Sequence, residues 1–377
     1  MLSQQEKEIN QETSFRKLHH LEICLKKKVQ SHETTRIEDF SFVHRAICDL
    51  DFDSIDTSVV LWGKKLQLPL IAAAMTGGHP EVRKINENIA IAAQKLGFAM
   101  GVGSQRAALE KNISYITESF RVVRDLAPDA LLIGNLGAAQ FGKKWNYSEE
   151  QIARAIDLIQ AQALAIHVNP GQEVIQIEGD TYFQGFWEKI KNIAPSIKVP
   201  VILKEVGSGF SREDALAVQN SPLAGIDIGG LGGTSWIGVE ALRLENEKAS
   251  LNYEIGNLFW DWGIPTALSL VESRSVMNKV LIATGGIRNG LEAAKMIALG
   301  ADIAGMALPF LEAASCGLEQ IEFLVKKFQK ELKIAMFLTG CKDIEDLKKT
   351  PIVVSGYSKE WMDQRNIAIS MPWRQQS

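Results

Sequence analysis

The chain has 377 residues, of which 46% are hydrophobic and 23% are charged, so it can bury a large core. Its net charge of -4 gives no reason to expect a nucleic-acid partner. The four cysteines lie far apart without a CxxC pair, which argues against a zinc site or a disulfide framework and suits a reducing cytosol. The N-terminus lacks the apolar stretch of a signal peptide, and no apolar run is long enough to predict a membrane span.

From residue 68 onward, short apolar runs alternate with amphipathic segments. The eight apolar runs cover 68–75, 98–103, 130–137, 163–169, 199–207, 224–230, 279–286 and 301–307. The segment SEEQIARAIDLIQAQ at 148–162 has a helical period, and Ser148 with Gln151 predicts a capping box at its start. Alternating strands and helices predict parallel pairing, and eight such units predict an α/β fold, a single (β/α)8 TIM barrel. A doubly wound sheet is the alternative.

The boundaries of this repeat divide the chain into three parts. We assign residues 1–67 to an N-terminal extension, 68–356 to the barrel and 357–377 to a C-terminal tail. Residues 231–278 form a long, Trp-rich gap between the sixth and seventh strands, which predicts an extra loop or helix over the barrel mouth. The stretch 318–340 predicts closing helices.

Polar residues crowd the end of the fourth predicted strand, in HVNPGQEVIQIEGD at 167–180. The carboxyl ends of barrel strands form the active-site face. We therefore expect His167, Asn169, Gln172 and Glu173 to converge at the mouth. The alternative is that Gln172 and Glu173 only cap the next helix.

The segment 283–307 predicts a phosphate site. Its first strand ends in Gly285-Gly286 and its second in Gly305-Met306-Ala307. Glycines let backbone N–H groups approach an anion, and the loops after the last two strands are the usual phosphate site of a barrel. Arg288 can add a charge; the alternative is two tight turns without a ligand. Lys204, inside the fifth strand, suits either the N1/O2 edge of a flavin or an ion pair with Glu205 or another acid.

Several motifs together resemble the type 2 isopentenyl-diphosphate isomerase family, which consists of FMN-dependent barrels. They are MTGG (75–78), GSQRA (103–107), GNLGAAQ (134–140), HVNPGQE with EGD (167–180), KEVGSGFS (204–211), GGLGGTSW (229–236) and TGGIRNG (284–290). The resemblance runs from RKLHH near residue 16 to about residue 356. It implies isomerisation of isopentenyl to dimethylallyl diphosphate, with FMN, Mg2+ and NAD(P)H as reductant. It also implies a homo-oligomer, a tetramer or an octamer, whereas the expected cytoplasmic location rests on the cysteine pattern.

The resemblance assigns a role to individual positions. It implies that the substrate is bound by Arg16, Lys17, His20, Ser104, Gln105, Arg106, His167, Asn169 and Gln172, with Gln172 also at the catalytic centre. It implies that FMN is bound by Ala74, Met75, Thr76, Gly77, Ser104, Asn135, Lys204, Thr234, Gly285, Gly286, Arg288, Met306 and Ala307. Glu173 matches the Mg2+ ligand. His19 competes with His20 in the alignment, and Gly229 stands where the family commonly has serine, so a hydroxyl contact to FMN is expected to be missing or replaced.

The family reaction adds a proton to an alkene and removes another. Gln172 is not a useful proton donor, and Glu173 is implied to bind the metal, which leaves the reduced flavin as acid and base. A rival is an FMN barrel that oxidises 2-hydroxy acids, but it needs a histidine base near the sixth and seventh strands, where this chain has none. A second rival is a non-catalytic flavin- or phosphate-binding barrel. No GxGxxG fingerprint predicts a separate nicotinamide domain.

Overall fold

A computed structural model describes residues 17–75, 77–110, 113–245 and 250–368. Eight parallel strands close into a barrel in the order β10-β11-β4-β5-β6-β7-β8-β9, which confirms the predicted TIM barrel. Each barrel strand falls inside one of the eight apolar runs. The strands β1 to β12 are Phe40–Phe42, Val59–Leu61, Lys64–Leu66, Leu70–Ala72, Ala99–Gly101, Leu132–Gly137, Ala163–Val168, Val201–Glu205, Gly225–Asp227, Val280–Ala283, Ile303–Met306 and Ile352–Val354.

Helices surround the barrel and cover part of its mouth. In chain order, α1 to α16 are 17–26, Pro80–Leu96, Arg106–Glu110, Ser114–Leu126, Glu149–Ile159, Pro170–Ile175, Phe186–Ile193, Arg212–Gln219, Trp236–Arg243, Leu251–Leu258, Thr266–Arg274, Gly290–Ala298, Leu308–Cys316, Leu318–Thr339, Ile344–Leu347 and Gly356–Gln364. The predicted capping box of α5 is present, with Ser148 and Gln151 bonding to each other's backbone N–H. Within the described residues, no helix combines the length and the apolar character that a bilayer crossing needs.

The barrel strands alternate between two cores. On β7, Leu164 and Ile166 pack outward against the helices, whereas Ala163 and Ala165 pack inside the barrel. The inner core also contains Ile71, Ala99, Ile133, Ile202, Ile282 and Ile303. Because side chains alternate along a strand, the residue two positions after each inner-core residue also points inward, one layer nearer the mouth.

Two strand-like pairings are among the contacts that attach the N-terminal extension to the rest of the chain. β1 pairs antiparallel with β12. Closer to the mouth, the chain after α1 runs antiparallel to the loop that follows β9, since Ser31 N–H donates to Gly233 O and Ser235 N–H to Val29 O, both at 2.8 Å. These contacts place α1 beside the carboxyl ends of the barrel strands.

The last helix, α16, is held to the barrel helices by a buried carboxylate. Glu272 on α11 has a side chain only 1% exposed, and it accepts hydrogen bonds from Trp361 Nε1 at 2.8 Å and Arg365 Nε at 2.9 Å. Its second oxygen accepts from the N–H of Arg212 at 2.8 Å. The same arginine, Arg365, also pairs with Glu213, whose side chain is 68% exposed.

Glu272 and Glu213 both pair with Arg365, so replacing each in turn tests how much burial adds to the contribution of a carboxylate to stability. We expect Glu272→Gln to lower the free energy of unfolding by about 2 kcal/mol, because buried donors lose a charged acceptor. Glu213→Gln should cost no more than about 0.5 kcal/mol, because its ion pair is exposed to solvent. Urea unfolding of both variants and the wild type measures the difference. Equal losses in the two variants would contradict the structural role of Glu272.

Candidate active site

A cavity of about 530 Å³ lies at the carboxyl ends of the barrel strands. Its volume falls in the usual range for small-molecule and cofactor sites. Most of the residues that the sequence predicted for the site lie in its wall: Lys17, His20, Ala74, Met75, Gly77, Ser104, Arg106, Asn135, His167, Asn169, Gln172, Glu173, Lys204, Thr234, Gly285, Gly286, Arg288 and Ala307. The structure therefore brings together residues from the extension and from all parts of the barrel.

Among the described residues, two predicted site residues, Gln105 and Met306, are not part of this wall. Gln105 is fully buried behind it, where its amide donates to Ala155 O at 2.7 Å and accepts from Asn135 N–H at 2.9 Å. Met306 is 1% exposed and belongs to the core between barrel and helices. Arg16 and Thr76 lie outside the described residues.

The helix α1 delivers two side chains to the mouth. Lys17 Nζ donates to Gly77 O at 2.6 Å and lies 3.4 Å from Ser104 O, so it sits between the loops after β4 and β5. His20 is half-buried, lines the cavity and lies 2.9 Å from Glu240 Oε1, whereas His19 is exposed. The geometry thus favours His20 over His19 as the site histidine.

His167 and Asn135 form a polar pair on neighbouring strands. Each lies two residues after an inner-core residue, Ile133 or Ala165, and so points inward. His167 Nδ1 lies 2.9 Å from Asn135 Oδ1. Because a carbonyl oxygen only accepts, Nδ1 carries the proton. Burial, together with the charges of Lys204 and Arg106, lowers the pKa of His167 to about 4. The imidazole is therefore neutral at neutral pH.

Lys204 belongs to the same inward layer and is paired across it. Its Nζ lies 3.1 Å from Asp227 Oδ2 and donates to Glu205 O at 3.0 Å. Asp227 also accepts a hydrogen bond from Thr284 Oγ1. Lys204 therefore has an ion-pair partner, which is Asp227 rather than the Glu205 carboxylate, and it lines the cavity as well. Asp227 is a site residue that the sequence reasoning missed, although the strand alternation of GIDIGG signals its inward position.

Gln172 and Glu173 lie in the first turn of α6, directly after β7. Gln172 Nε2 donates to Glu240 Oε1 at 2.8 Å, and Glu173 Oε1 accepts from Asn169 Nδ2 at 2.9 Å. Glu173 Oε2 accepts from the N–H of Asp180 at 2.6 Å. Both side chains line the cavity and bond to residues outside α6, which differs from the simple helix-capping alternative.

Glu240 is a second residue that the sequence reasoning missed. It lies on α9, in the Trp-rich gap, and its side chain is fully buried. Burial alone would raise its pKa, but the contacts with His20, Arg243 and Gln172 outweigh burial and lower the pKa to about 2. Glu240 is therefore an ionised anchor for Gln172. A lone acid in the apolar segment WIGVEALR, after the capping residue Ser235, is the signal that could have found it.

Glycines make the opposite side of the cavity. Gly286 has φ +75°, and an added Cβ would lie 2.5 Å from Gly232 O. Gly285 is equally crowded, because an added Cβ there would lie 2.2 Å from Gly230 O. Ala307 and the start of α13 complete this wall, and α13 begins there without a side-chain cap. Tightly packed backbone and an uncapped helix start fit a bound phosphate group.

The backbone explains why glycine stands at position 229, where the family commonly has serine. Its φ is +50°, and an added Cβ would lie 2.0 Å from Glu205 O. A serine therefore does not fit this backbone. The N–H of Gly229 donates to Thr284 Oγ1 at 3.0 Å, so its backbone is held by the hydroxyl that also binds Asp227.

Comparisons with known proteins agree with this geometry. Residues 143–354 match the family model described as FMN-dependent dehydrogenase. The isopentenyl-diphosphate delta-isomerase of Methanosarcina mazei is 46% identical over 358 residues, covering 95% of this chain and 96% of that protein. The protein of the same name from Archaeoglobus fulgidus is 45% identical, covering 94% of this chain and 99% of its own length.

Solved structures show the same fold at low sequence identity. A lactate oxidase described as putative, from Pediococcus acidilactici, superposes with a TM-score of 0.65 at 18% identity, covering 93% of this chain and 94% of that one. Mandelate oxidase superposes with a TM-score of 0.59 at 16% identity, covering 92% of this chain and 98% of that one. At these identities the likeness concerns the barrel architecture alone.

The glycine wall can be tested with two glycines of matched conformation. Gly286→Ala should weaken FMN binding by about tenfold or more. The added Cβ would displace the backbone, and its N–H groups would then lose hydrogen bonds to the charged phosphate of FMN. Gly63 has nearly the same φ, +78°, but nothing lies within 4 Å of an added Cβ. Gly63→Ala should therefore retain FMN and cost only about 1–2 kcal/mol of backbone strain. Flavin fluorescence titration of the apoprotein measures both. Equal affinities would exclude Gly286 from the cofactor site.

Proposed function

The chain belongs to the isopentenyl-diphosphate delta-isomerases, an FMN-dependent family, and from this membership we propose that it interconverts isopentenyl and dimethylallyl diphosphate. The observation that carries the proposal is the division of the cavity. Crowded glycines line one side, while an amide, a carboxylate and two cations, Gln172, Glu173, Lys17 and Arg106, line another. One side suits a flavin phosphate, and the other suits a substrate diphosphate.

The residues present fit FMN. The backbone at Gly285 and Gly286 leaves no space for side chains, which is the arrangement that allows close approach to a phosphate. Arg288 lines the same wall and bonds to the carbonyl of Gly286. Lys204, oriented by Asp227, would place a positive charge beside the ring.

The residues also fit a diphosphate with one Mg2+. Lys17 and Arg106 supply positive charge at the mouth. Among the described residues, no group of three or more His, Cys, Asp or Glu side chains could hold a metal by itself. Mg2+ commonly binds through one or two carboxylates plus phosphate oxygens and waters. Glu173 would be that carboxylate, because each of its oxygens accepts one hydrogen bond and keeps a lone pair.

Two of the titratable side chains around the cavity, His167 and Glu240, do not offer a proton at neutral pH. His167 is neutral, because its pKa is lowered to about 4. Glu240 is ionised, because its pKa is lowered to about 2. Burial raises the pKa of Glu205 to about 7, but Glu205 does not line this cavity, and its Oε2 accepts from four successive backbone N–H groups. When bound and reduced, FMN would supply the proton at N5 and take one back.

The chain's own residues would then bind, orient and exclude water. Glu240 holds the Gln172 amide, and Asn169 holds both Gln172 and Glu173, with Nδ2 3.0 Å from Gln172 Oε1. Trp236 lines the cavity and packs edge-on against His20, with ring centroids 5.4 Å apart. An apolar wall here would shield a developing carbocation from water, and its π face would stabilise the charge.

The oxidation of 2-hydroxy acids is the alternative that the fold alone would permit. The described histidines lie at 19, 20, 32, 44, 79 and 167, so none follows β9 or β10, where such a reaction would need its base. The high identity to proteins named as isomerases also favours isomerisation. NAD(P)H as reductant and a tetramer or octamer remain predictions from the family resemblance, and a cytoplasmic location remains a prediction from the cysteine pattern.

An isomerisation assay tests the function directly. Purified protein, loaded with FMN and kept anaerobic, is given isopentenyl diphosphate with Mg2+. We expect dimethylallyl diphosphate to form after the flavin is reduced by NAD(P)H or dithionite, without stoichiometric consumption of the reductant. Equal rates with oxidised and reduced flavin would refute the assigned role of the reduced cofactor. Oxidation of a 2-hydroxy acid without any isomerisation would favour the alternative.

The metal role of Glu173 has its own test. Glu173→Gln should raise the Mg2+ concentration needed for half-maximal rate by at least about tenfold, since even the outer partners of metal ligands typically contribute that much. The KM for isopentenyl diphosphate should rise as well, while bound FMN stays unchanged. Overlaying Mg2+ titration curves of variant and wild type would exclude Glu173 as the ligand.

A further inference from the structure

The EGD sequence at residues 178–180 has no role in the function proposed above, yet the structure places it against the diphosphate side of the cavity. The chain leaves α6 and turns back, with Gly179 N–H donating to Gln176 O at 2.9 Å. Gly179 is required there, because an added Cβ would lie 1.8 Å from Glu173 O. The turn therefore packs directly on the residue proposed to bind Mg2+.

Asp180 bonds in two directions from this turn. Its backbone N–H donates to Glu173 Oε2 at 2.6 Å. Its carboxylate accepts a hydrogen bond from Trp145 Nε1, and it lies 3.7 Å from Arg106 and 3.4 Å from Lys144. The side chain is 7% exposed, so solvent screens these interactions little.

Arg106 is held on three sides by this cluster. Its guanidinium carbon lies 4.2 Å from the centroid of the Trp145 ring, a cation–π distance. Its Nε donates to Glu110 Oε1 at 2.9 Å, and that carboxylate also accepts from Tyr147 Oη at 2.8 Å. Arg106 lines the cavity, whereas Asp180 lies behind it. The cluster thus fixes the direction of a cation whose rotamers are otherwise free.

We propose that Asp180 is a positioning residue that holds Arg106 and Glu173 in one relative geometry for a diphosphate and its Mg2+. Trp145 is its partner, because the indole N–H fixes the carboxylate and the ring face carries the guanidinium. This inference rests on the proposed function of the cavity. By its charge alone, a carboxylate behind an anion site weakens the binding of the anion. Removing the Asp180 carboxylate should therefore lower the Kd if the residue acts by charge, and raise the Kd if it acts by positioning.

Isothermal titration of inorganic pyrophosphate with Mg2+ into the FMN-loaded protein measures this effect without turnover. Asp180→Asn keeps the size of the side chain and the backbone N–H, and it should raise the Kd by about tenfold, as loss of a supporting partner typically does. Glu188→Gln removes one negative charge from an exposed ion pair on α7 and should leave the Kd unchanged. A lower Kd in Asp180→Asn would show that the residue acts only by charge and would overturn the proposal.

Two further comparisons separate positioning from damage to the fold. Trp145→Phe keeps a ring face for Arg106 but no N–H, so it should bind pyrophosphate more tightly than Trp145→Ala and less tightly than the wild type. In the Arg106→Ala background, Asp180→Asn should cause no further loss, because the variant keeps the backbone N–H that binds Glu173 and the carboxylate acts through Arg106. Full additivity, or equal affinity of the two Trp145 variants, would contradict the proposed coupling.

The same measurements distinguish this inference from the function on which it rests. If the wild type isomerises isopentenyl diphosphate and Arg106→Ala weakens pyrophosphate binding while Asp180→Asn does not, the function stands and the positioning role is wrong. If the wild type binds no pyrophosphate, the diphosphate site itself is wrong and Asp180 has no such role. In turnover, Asp180→Asn should raise KM with little change in kcat, which a general loss of structure would not produce.

Discussion

The site depends on the two-residue period of strands in a closed barrel. Alternate side chains point inward, so an apolar layer of Ile133, Ala165, Ile202 and Ile282 fills the barrel. Two residues farther along the same strands come Asn135, His167, Lys204 and Thr284. The barrel therefore ends, toward the mouth, in a polar layer that rests on a packed apolar floor.

Polar groups in this layer are stable because they satisfy one another. Buried polar groups without partners cost free energy, so the layer is organised in pairs. His167 bonds to Asn135, and Lys204 pairs with Asp227, which Thr284 also contacts. These pairs determine the charges that face the cavity: a neutral imidazole and an ammonium group in a fixed place. Preorganised groups of this kind need no rearrangement when a ligand binds.

The outer parts of the site are held by elements from distant parts of the chain. α1 brings Lys17 and His20, and the strand-like pairing of Val29 and Ser31 with the loop after β9 fixes its position. α9 brings Glu240 under Gln172. Substrate-side residues are thereby tied to the same loop, 229–235, that carries glycines of the opposite wall.

The local pattern of the sequence is sufficient for the barrel, because eight apolar runs with helical segments between them permit few other arrangements. It also indicates the mouth, since strand-end residues such as His167, Gln172 and Gly285 must meet there in any closed parallel barrel. The family resemblance adds Lys17 and His20 from the extension. Tertiary structure alone decided which partners these residues acquire: Asp227 for Lys204, Glu240 for Gln172, and Asp180 for Arg106. Those contacts join residues 23 to 74 positions apart. The distances within them depend on how helices and loops pack on the barrel, and no periodicity of the sequence encodes that packing.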